Sequence, residues 1–243
     1  FVQLSGFRMS VLGIETATSV CAAAIAAEET VVAEEGIDQE RVHAEKLLVL
    51  VDRVLKSAGK QLKDLRGIAI SIGPGSFTGL RIGLSVAKGL SFAAGIPLVA
   101  VPTLESLARR VIDAAPASQP GRILATIDAR RDEVYCQLFR TGSGGCDPVW
   151  RARDLSVAEL AEELGELDLV LTGDGSAKVL RFLSGMDRPP PVTAAEPGIA
   201  RCSAATVALM GSRLLVEGKR DDPSSLEPAY VKEFFFASRS SQT

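Results

Sequence analysis

The sequence predicts an α/β fold of two lobes, each built from a mixed sheet flanked by helices. Strand-like and helix-like runs alternate between Ile37 and Val101, and this order favours parallel strands with helices packed on them. A strand, a short acidic turn and a second strand occur around Glu15 and again around Asp128. This weak internal repeat predicts two lobes that open in the same way. A chain of 243 residues is long enough for both.

The centre of the predicted first lobe is the stretch at 71–95. An apolar strand ends at a tight Gly-Pro-Gly turn at 73–75, where proline fixes its own φ and glycine accepts values that other residues avoid. Ser76 is then a natural N-cap, because its hydroxyl can accept a hydrogen bond from a free N–H of the first helical turn. The helix is predicted to end at Gly95.

Small residues recur every four positions on this helix, at Gly79, Gly83 and Ala87. Glycine inside a helix costs about 1 kcal/mol relative to alanine, so two of them on one face indicate that another backbone comes very close. That backbone belongs either to a partner subunit or to the helix's own sheet, and the pattern fits both. A stripe that faces a partner predicts that Gly83→Leu leaves the monomer folded.

The helix predicted over 39–58 is apolar on almost every side between Leu47 and Leu55. A helix of this kind is usually buried. Burial on both sides in so small a lobe favours a partner subunit over a central core helix, although periodicity alone does not separate the two. Together the two helices give a predicted partner interface. Its residues are His43, Leu47, Leu48, Val51, Leu55, Phe77, Gly79, Leu80, Gly83, Leu84 and Ala87.

Residues before Met9 are left out of the predicted fold. The predicted boundaries are a tag or N-terminal extension at 1–8, a first lobe at 9–102 with the helix at 203–217 packing back onto it, a second lobe at 103–200 and a tail at 218–243.

Composition argues against several classes of function. The net charge of −3 gives no basic field that would draw the chain to nucleic acid by itself. The cysteines lack the paired spacings of zinc sites and disulfide frameworks. His43 is the single histidine of the sequence, whereas a histidine metal site normally uses two or more. With no signal-peptide pattern and no apolar run near the ~20 residues that span a bilayer, the sequence predicts a cytoplasmic protein without membrane contact.

The two strand–turn–strand units also resemble the ATPase core of actin, Hsp70 and sugar kinases, in which two turns hold nucleotide phosphates from opposite sides. Such turns usually present small backbones whose N–H groups reach the phosphates. Neither turn here contains a glycine, and the second is made bulkier by arginines. The pattern therefore favours a retained fold with a damaged nucleotide site over a working ATPase. The predicted cleft residues are Glu15, Thr16, Thr18, Asp128, Arg130, Gly173, Asp174 and Gly175, and no catalytic residue or metal ligand is assigned.

Five motifs in the sequence resemble one bacterial family. They are LGIETATSVCAAAI, HAEKLLVLVDRVL, GPGSFTGLRIG with the helix that follows it, IDARRDEVYCQLF and the late EPAYVKE. Together they are similar to the tRNA threonylcarbamoyladenosine biosynthesis proteins TsaB, a YeaZ or Gcp-like family, over essentially all of residues 9–233. GPGSFTGLRIG is the most specific of the five. TsaD, the catalytic paralogue, is more loosely similar.

The resemblance implies two actin-like lobes of the ASKHA, ribonuclease H-like kind. It implies a non-catalytic scaffold or activator in the N6-threonylcarbamoyladenosine modification of tRNA beside the anticodon, with TsaD as catalytic partner and the TsaE ATPase joining the complex. It further implies a homodimer through the same surface when TsaD is absent, and contact with tRNA only through the complex. No firm cofactor is implied, beyond weak ATP or ADP binding at or near the partner interface.

Two alternative activities are considered beside this one. An autonomous ATP-dependent small-molecule kinase of the actin-like fold needs working phosphate turns, and the absence of glycine from both turns argues against it. A metallopeptidase of the M22 type needs paired histidines, and the single His43 argues against that.

Overall fold

The structure is a computed structural model, and it describes residues 9–115, 120–142 and 145–231. The predicted extension at 1–8 and the end of the predicted tail at 232–243 lie outside the described residues. The strands are β1 (Ser10–Glu15), β2 (Val20–Ala27), β3 (Thr30–Asp38), β4 (Gly67–Gly73), β5 (Leu98–Pro102), β6 (Arg122–Asp128), β7 (Glu133–Gly142), β8 (Gly145–Pro148), β9 (Arg153–Ser156), β10 (Leu169–Thr172) and β11 (Val192–Ala194). The helices are α1 (His43–Ser57), α2 (Phe77–Ala94), α3 (Thr103–Ala114), α4 (Val157–Leu164), α5 (Ser176–Leu183) and α6 (Ala204–Val216).

The first sheet has the strand order β3-β2-β1-β4-β5. β1 pairs antiparallel with β2 and parallel with β4, so the sheet is mixed. Because successive side chains of a strand point to opposite faces, each face has its own apolar core. Leu12 and Ile68 lie on the face covered by α1 and α2, and Val11 and Ala69 lie on the face covered by α6.

The second sheet has the order β11-β10-β6-β7-β8, and β9 pairs with the other end of β7. β6 pairs antiparallel with β7 and parallel with β10. Leu124 faces a core formed with α4 and α5, whereas Ile123 faces a core formed with α3. Two mixed sheets with helices on both faces confirm the predicted α/β fold class.

The predicted ends of α2 are confirmed. Ser76 Oγ accepts a hydrogen bond from the Gly79 N at 3.2 Å, which is the expected N-cap. Gly95 follows the last turn with a φ of 64°, a left-handed conformation that glycine adopts without steric cost.

The prediction for α1 was wrong in two respects. The helix begins at His43 rather than at residue 39, and Arg41 just before it has a φ of 64°, which a right-handed helix cannot contain. The helix also has a polar solvent face, on which Glu45, Asp52 and Arg53 are exposed. It is therefore amphipathic rather than apolar all round.

The chain that follows α6 covers the outer edge of β5. The Asp221 N donates to the Leu98 O at 2.9 Å, and Asp221 Oδ2 accepts from the Ala100 N at 2.7 Å. These two bonds satisfy backbone groups of β5 that point away from β4. Within the described residues, none of the helices is long and apolar enough to pass through a bilayer.

Candidate functional site

The first predicted cleft turn joins β1 to β2, and the buried Glu15 stands at its start. Its Oε1 accepts hydrogen bonds from the Ala17 N at 2.6 Å and from Ser71 Oγ at 2.9 Å. Its Oε2 is buried and has no hydrogen-bond partner among the described residues. Burial raises the pKa of Glu15 to about 7, against the opposing effect of these hydrogen bonds. The carboxyl group therefore loses its proton near neutral pH.

Residues of both neighbouring helices hold this turn in place. His43 Nε2, at the start of α1, lies 3.1 Å from the Thr18 O and 3.3 Å from the Val20 O. Since carbonyl oxygens only accept hydrogen bonds, Nε2 must carry the proton. The Ser76 N, at the start of α2, donates to the Ala17 O at 2.7 Å. His43 was predicted at the partner interface, but it is buried and its imidazole binds the chain's own backbone.

The glycine stripe of α2 faces the same turn. A Cβ on Gly79 would overlap the Thr16 O, and a Cβ on Gly83 would overlap Thr16 Oγ1. The close backbone that the glycines indicate is therefore the chain's own, and both residues are corrected from partner contacts to internal packing. Other residues of the predicted interface are buried inside the first lobe as well. They are Leu47, Val51, Leu80, Leu84 and Ala87.

The second predicted cleft turn joins β6 to β7 and is held by polar side chains. The Asp128 N donates to Asp174 Oδ1 at 3.0 Å, and the Arg130 N donates to Asp128 Oδ1 at 2.9 Å. Lys178 Nζ donates to the same Asp128 Oδ1 at 2.6 Å and to the Glu133 O at 3.0 Å. The bulk of Arg130 does not fill the turn, because its side chain is exposed. Lys178 was missed in the sequence, since 50 residues separate it from Asp128 and no local pattern links them.

The loop between β10 and α5 brings Asp174 to this turn. Gly173 has a φ of 101°, and a Cβ there would overlap the Thr126 O at the end of β6. The Gly175 N also approaches the Thr126 O, at 3.4 Å. Glycine is thus required where the loop crosses the neighbouring strand. Desolvation, reinforced by the nearby charge of Asp128, raises the pKa of Asp174.

The two turns and Cys202 share one electrostatic environment. Burial raises the pKa of the Cys202 thiol well above its usual range, and the charges of Glu15 and Asp174 add to the shift. Thr18 forms a hydrogen bond with the thiol, which opposes it. The charges of Glu15 and Asp174 therefore both act on one buried thiol that the sequence did not indicate as part of the predicted cleft. Among the described residues, no three histidine, cysteine, aspartate or glutamate side chains are placed to hold a metal ion.

A second candidate site is formed by exposed apolar side chains of α1 and α2, two helices that pack against each other. Large apolar side chains are exposed there: Leu48 (56 %) and Val49 (45 %) on α1, and Phe77 (40 %) and Phe92 (91 %) on α2. We call these four residues the apolar helix face. Leu48 and Phe77 were predicted at the partner interface, whereas Val49 and Phe92 were not. Leu55, also predicted, is half-buried against the core of the first lobe.

The C-terminal segment borders the apolar helix face. The Tyr230 ring stacks on Phe77 with 5.3 Å between centroids. Arg81 Nε donates to Tyr230 Oη at 3.0 Å, and its guanidinium carbon lies 4.0 Å from the centroid of the Phe77 ring. The Ala229 N donates to the Ile72 O at 2.8 Å, so this segment is also fixed to the end of β4. Tyr230 lies in the EPAYVKE motif, whose sequence does not indicate these contacts.

Comparison with known proteins places the chain in a family. A family model described as "TsaD: tRNA N6-adenosine threonylcarbamoyltransferase" matches residues 20–177. TsaB of Escherichia coli K12, described as a "tRNA threonylcarbamoyladenosine biosynthesis protein", is 34 % identical over 166 residues, which cover 68 % of this chain and 69 % of that protein. The chain belongs to the TsaB/YeaZ family. TsaB of Bacillus subtilis 168 is 33 % identical over 160 residues, covering 66 % and 68 % of the two chains.

The TsaB/YeaZ architecture extends over both lobes. The crystal structure of YeaZ from Pseudomonas aeruginosa superimposes with a TM-score of 0.76 at 28 % identity, and the match covers 91 % of this chain and 99 % of that one. Both sheets described above, together with the two turns and the apolar helix face, lie within a chain of TsaB/YeaZ type.

Proposed function

We propose that this TsaB/YeaZ-family chain acts in the biosynthesis of tRNA threonylcarbamoyladenosine as a non-catalytic scaffold or activator. In this proposal it binds a TsaD-like catalytic subunit through the apolar helix face. The single observation that supports the docking site most directly is the exposure of Leu48, Val49, Phe77 and Phe92 on two helices that pack together. Large apolar side chains exposed on an otherwise well-packed protein mark a candidate interaction site.

The chemistry of the face suits a protein partner. Aromatic rings and arginine are enriched at the centres of interfaces, and Phe77, Phe92 and Arg81 supply both. Arg81 is already held over the Phe77 ring and against Tyr230, so it would lose little conformational freedom on binding. The face is rimmed by charged residues of α1, among them Glu45 and Asp52.

A TsaD-like subunit is the preferred occupant because the TsaD family model matches a range that includes both helices. A TsaD-like protein is then expected to carry an equivalent helix pair, and two such pairs can pack as a four-helix arrangement. A second copy of this chain carries the same pair, and we propose that it occupies the face when the TsaD-like subunit is absent. A TsaE-like ATPase joins the complex in this proposal. This chain meets tRNA only indirectly, through the other subunits, in keeping with its net charge of −3.

The test measures association with the TsaD-like subunit of the same organism. Leu48→Asp and Phe92→Asp each place a charge in the apolar helix face, and we expect either to weaken co-purification and binding by at least about tenfold. Phe182→Asp is the matched control, because Phe182 is an exposed phenylalanine on α5 in the other lobe and should bind as wild type does.

Light scattering of the isolated chain measures its molar mass and so tests whether a second copy occupies the face. Leu48→Asp and Phe92→Asp should shift any dimer to monomer. A tRNA modification assay with all subunits then reports on function. Wild-type affinity in both variants would contradict the docking site, and modification that proceeds equally well without this chain would contradict the scaffold role.

A further inference from the structure

An actin-like fold implies a site for nucleotide phosphates and their metal ion between the two turns. A phosphate site of this kind needs backbone N–H groups that are free to bind an anion. In the first turn the Ala17 N is already bonded to Glu15 Oε1 at 2.6 Å, and the Val20 N is bonded to Thr18 Oγ1 at 3.2 Å. Side-chain oxygens of the chain itself therefore occupy these two donors of the turn.

In the second turn, too, groups of the chain itself accept hydrogen bonds from backbone N–H groups. The Asp128 N is bonded to Asp174 Oδ1, the Arg130 N to Asp128 Oδ1, and the Ala129 N to the Glu133 O at 3.2 Å. A charged carboxylate accepts the first of these bonds, and hydrogen bonds to charged groups are stronger than neutral ones. A phosphate oxygen would have to displace Asp174 and would meet its negative charge.

The place of a metal ion is also filled from within the chain. Asp128 is a carboxylate of the second turn that could ligate a divalent cation, and its Oδ1 lies 2.6 Å from Lys178 Nζ. The same ammonium group reaches the Glu133 O at 3.0 Å, so it bridges two oxygens as a bound cation would. A metal ion at Asp128 would be repelled by the adjacent positive charge.

The backbone N–H groups of the first turn cannot easily be reoriented. Its carbonyl oxygens are held by His43 of α1 and by the Ser76 N of α2, and Gly79 leaves no space between α2 and Thr16. Reorienting the turn would break these contacts together. Occupancy of these N–H donors and of Asp128 by the chain's own groups therefore indicates that the residues present do not fit an ATP–metal complex.

We propose that this cleft is closed to nucleotide phosphates by the chain's own side chains, with the Glu15 carboxyl group and the Asp174 carboxylate on the turn N–H groups and the Lys178 ammonium on Asp128. Asp174 and Lys178 act as a tethered anion and a tethered cation. The cleft then fixes the turn geometry instead of binding a ligand, and it does so whether or not the apolar helix face binds a partner.

The test uses inorganic pyrophosphate as the probe and calorimetric titration of the full chain. Asp174→Ala frees the Asp128 N–H and removes a negative charge, so it should bind pyrophosphate at least about tenfold more tightly than wild type. Asp174→Asn keeps a carbonyl acceptor for the same N–H and should gain less. Pyrophosphate or ATP–Mg²⁺ binding by wild type as tight as that of Asp174→Ala would overturn the proposal.

Two further measurements do not depend on the affinity for pyrophosphate. Hydrogen exchange at the Asp128 amide should rise about tenfold or more in Asp174→Ala and stay near wild type in Asp174→Asn, and unchanged exchange in both would overturn the role of Asp174. Lys178→Gln should bind Mn²⁺ about threefold or more tightly than Lys178→Arg, which keeps the charge. Equal Mn²⁺ affinity in these two variants would overturn the role of Lys178.

Discussion

His43 Nε2 donates a hydrogen bond to the main-chain oxygen of Thr18 over 3.1 Å, and this bond joins the first residue of α1 to the turn that follows β1. The start of α1 and the turn after β1 are thus connected by one buried imidazole. The bond gives this buried histidine a structural role.

His43→Ala should destabilise the chain by about 1–3 kcal/mol, because the buried Thr18 O loses the hydrogen bond that the imidazole donates. The free energy of unfolding in urea measures this. Lys46→Ala, an exposed site on the same helix, is the control and should stay within about 0.5 kcal/mol of wild type. Equal stability of His43→Ala and Lys46→Ala would show that the imidazole contributes nothing.

Gly83→Ala should destabilise the chain by about 1–3 kcal/mol or more, because the added Cβ overlaps Thr16 Oγ1 and the core must shift. Gly89→Ala on the same helix is the matched control, because no atom lies within 4 Å of the position that its Cβ would occupy. There the higher helix propensity of alanine should stabilise the chain by up to about 1 kcal/mol. Thermal or urea unfolding of the two variants gives the sign of each change in the free energy of unfolding. A stabilising Gly83→Ala would contradict the intramolecular packing of the glycine stripe. Gly83→Leu is accordingly expected to unfold the monomer, contrary to the expectation from a stripe that faces a partner.

Glu15 should make stability fall as the pH rises from about 4.5 to about 7. Its pKa in the folded chain is raised from 4.5 to about 7, so in this window the folded state binds more protons than the unfolded state. The stabilisation is complete below 4.5 and is lost as the buried carboxyl ionises, a change of about 3 kcal/mol at 1.4 kcal/mol per pKa unit.

Glu15→Gln tests this dependence, because it keeps the acceptor for the Ala17 N and cannot ionise. Urea unfolding at a series of pH values between 4.5 and 8 should show a gap between variant and wild type that changes by about this amount. Stability curves that run parallel across the window would mean that Glu15 does not titrate there.

Local signals in the sequence were sufficient for both ends of α2. The cap at Ser76 and the left-handed Gly95 each depend on residues within one helical turn, so the sequence contains all that is needed to predict them. The capping box of α4 is of the same kind, with Ser156 Oγ accepting from the Glu159 N at 3.2 Å and Glu159 Oε2 accepting from the Ser156 N at 2.9 Å.

The direction in which a helix face points was not available from the sequence. The spacing of Gly79 and Gly83 indicates a close backbone, but Thr16 is more than sixty positions away and periodicity does not identify it. The closure of the cleft was missed for the same reason, since Lys178 and Asp128 meet only when β10 pairs with β6. The sequence shows directly that neither turn contains a glycine. It does not show which groups accept hydrogen bonds from the N–H donors of the turns.

Asp221 covers the outer edge of β5, which limits how this chain can pair with a strand of another protein. By bonding to Leu98 and Ala100 it leaves β5 without the free ladder of donors and acceptors on which a foreign strand could align. Continuous sheets running from one subunit to the next are therefore disfavoured along the β5 edge.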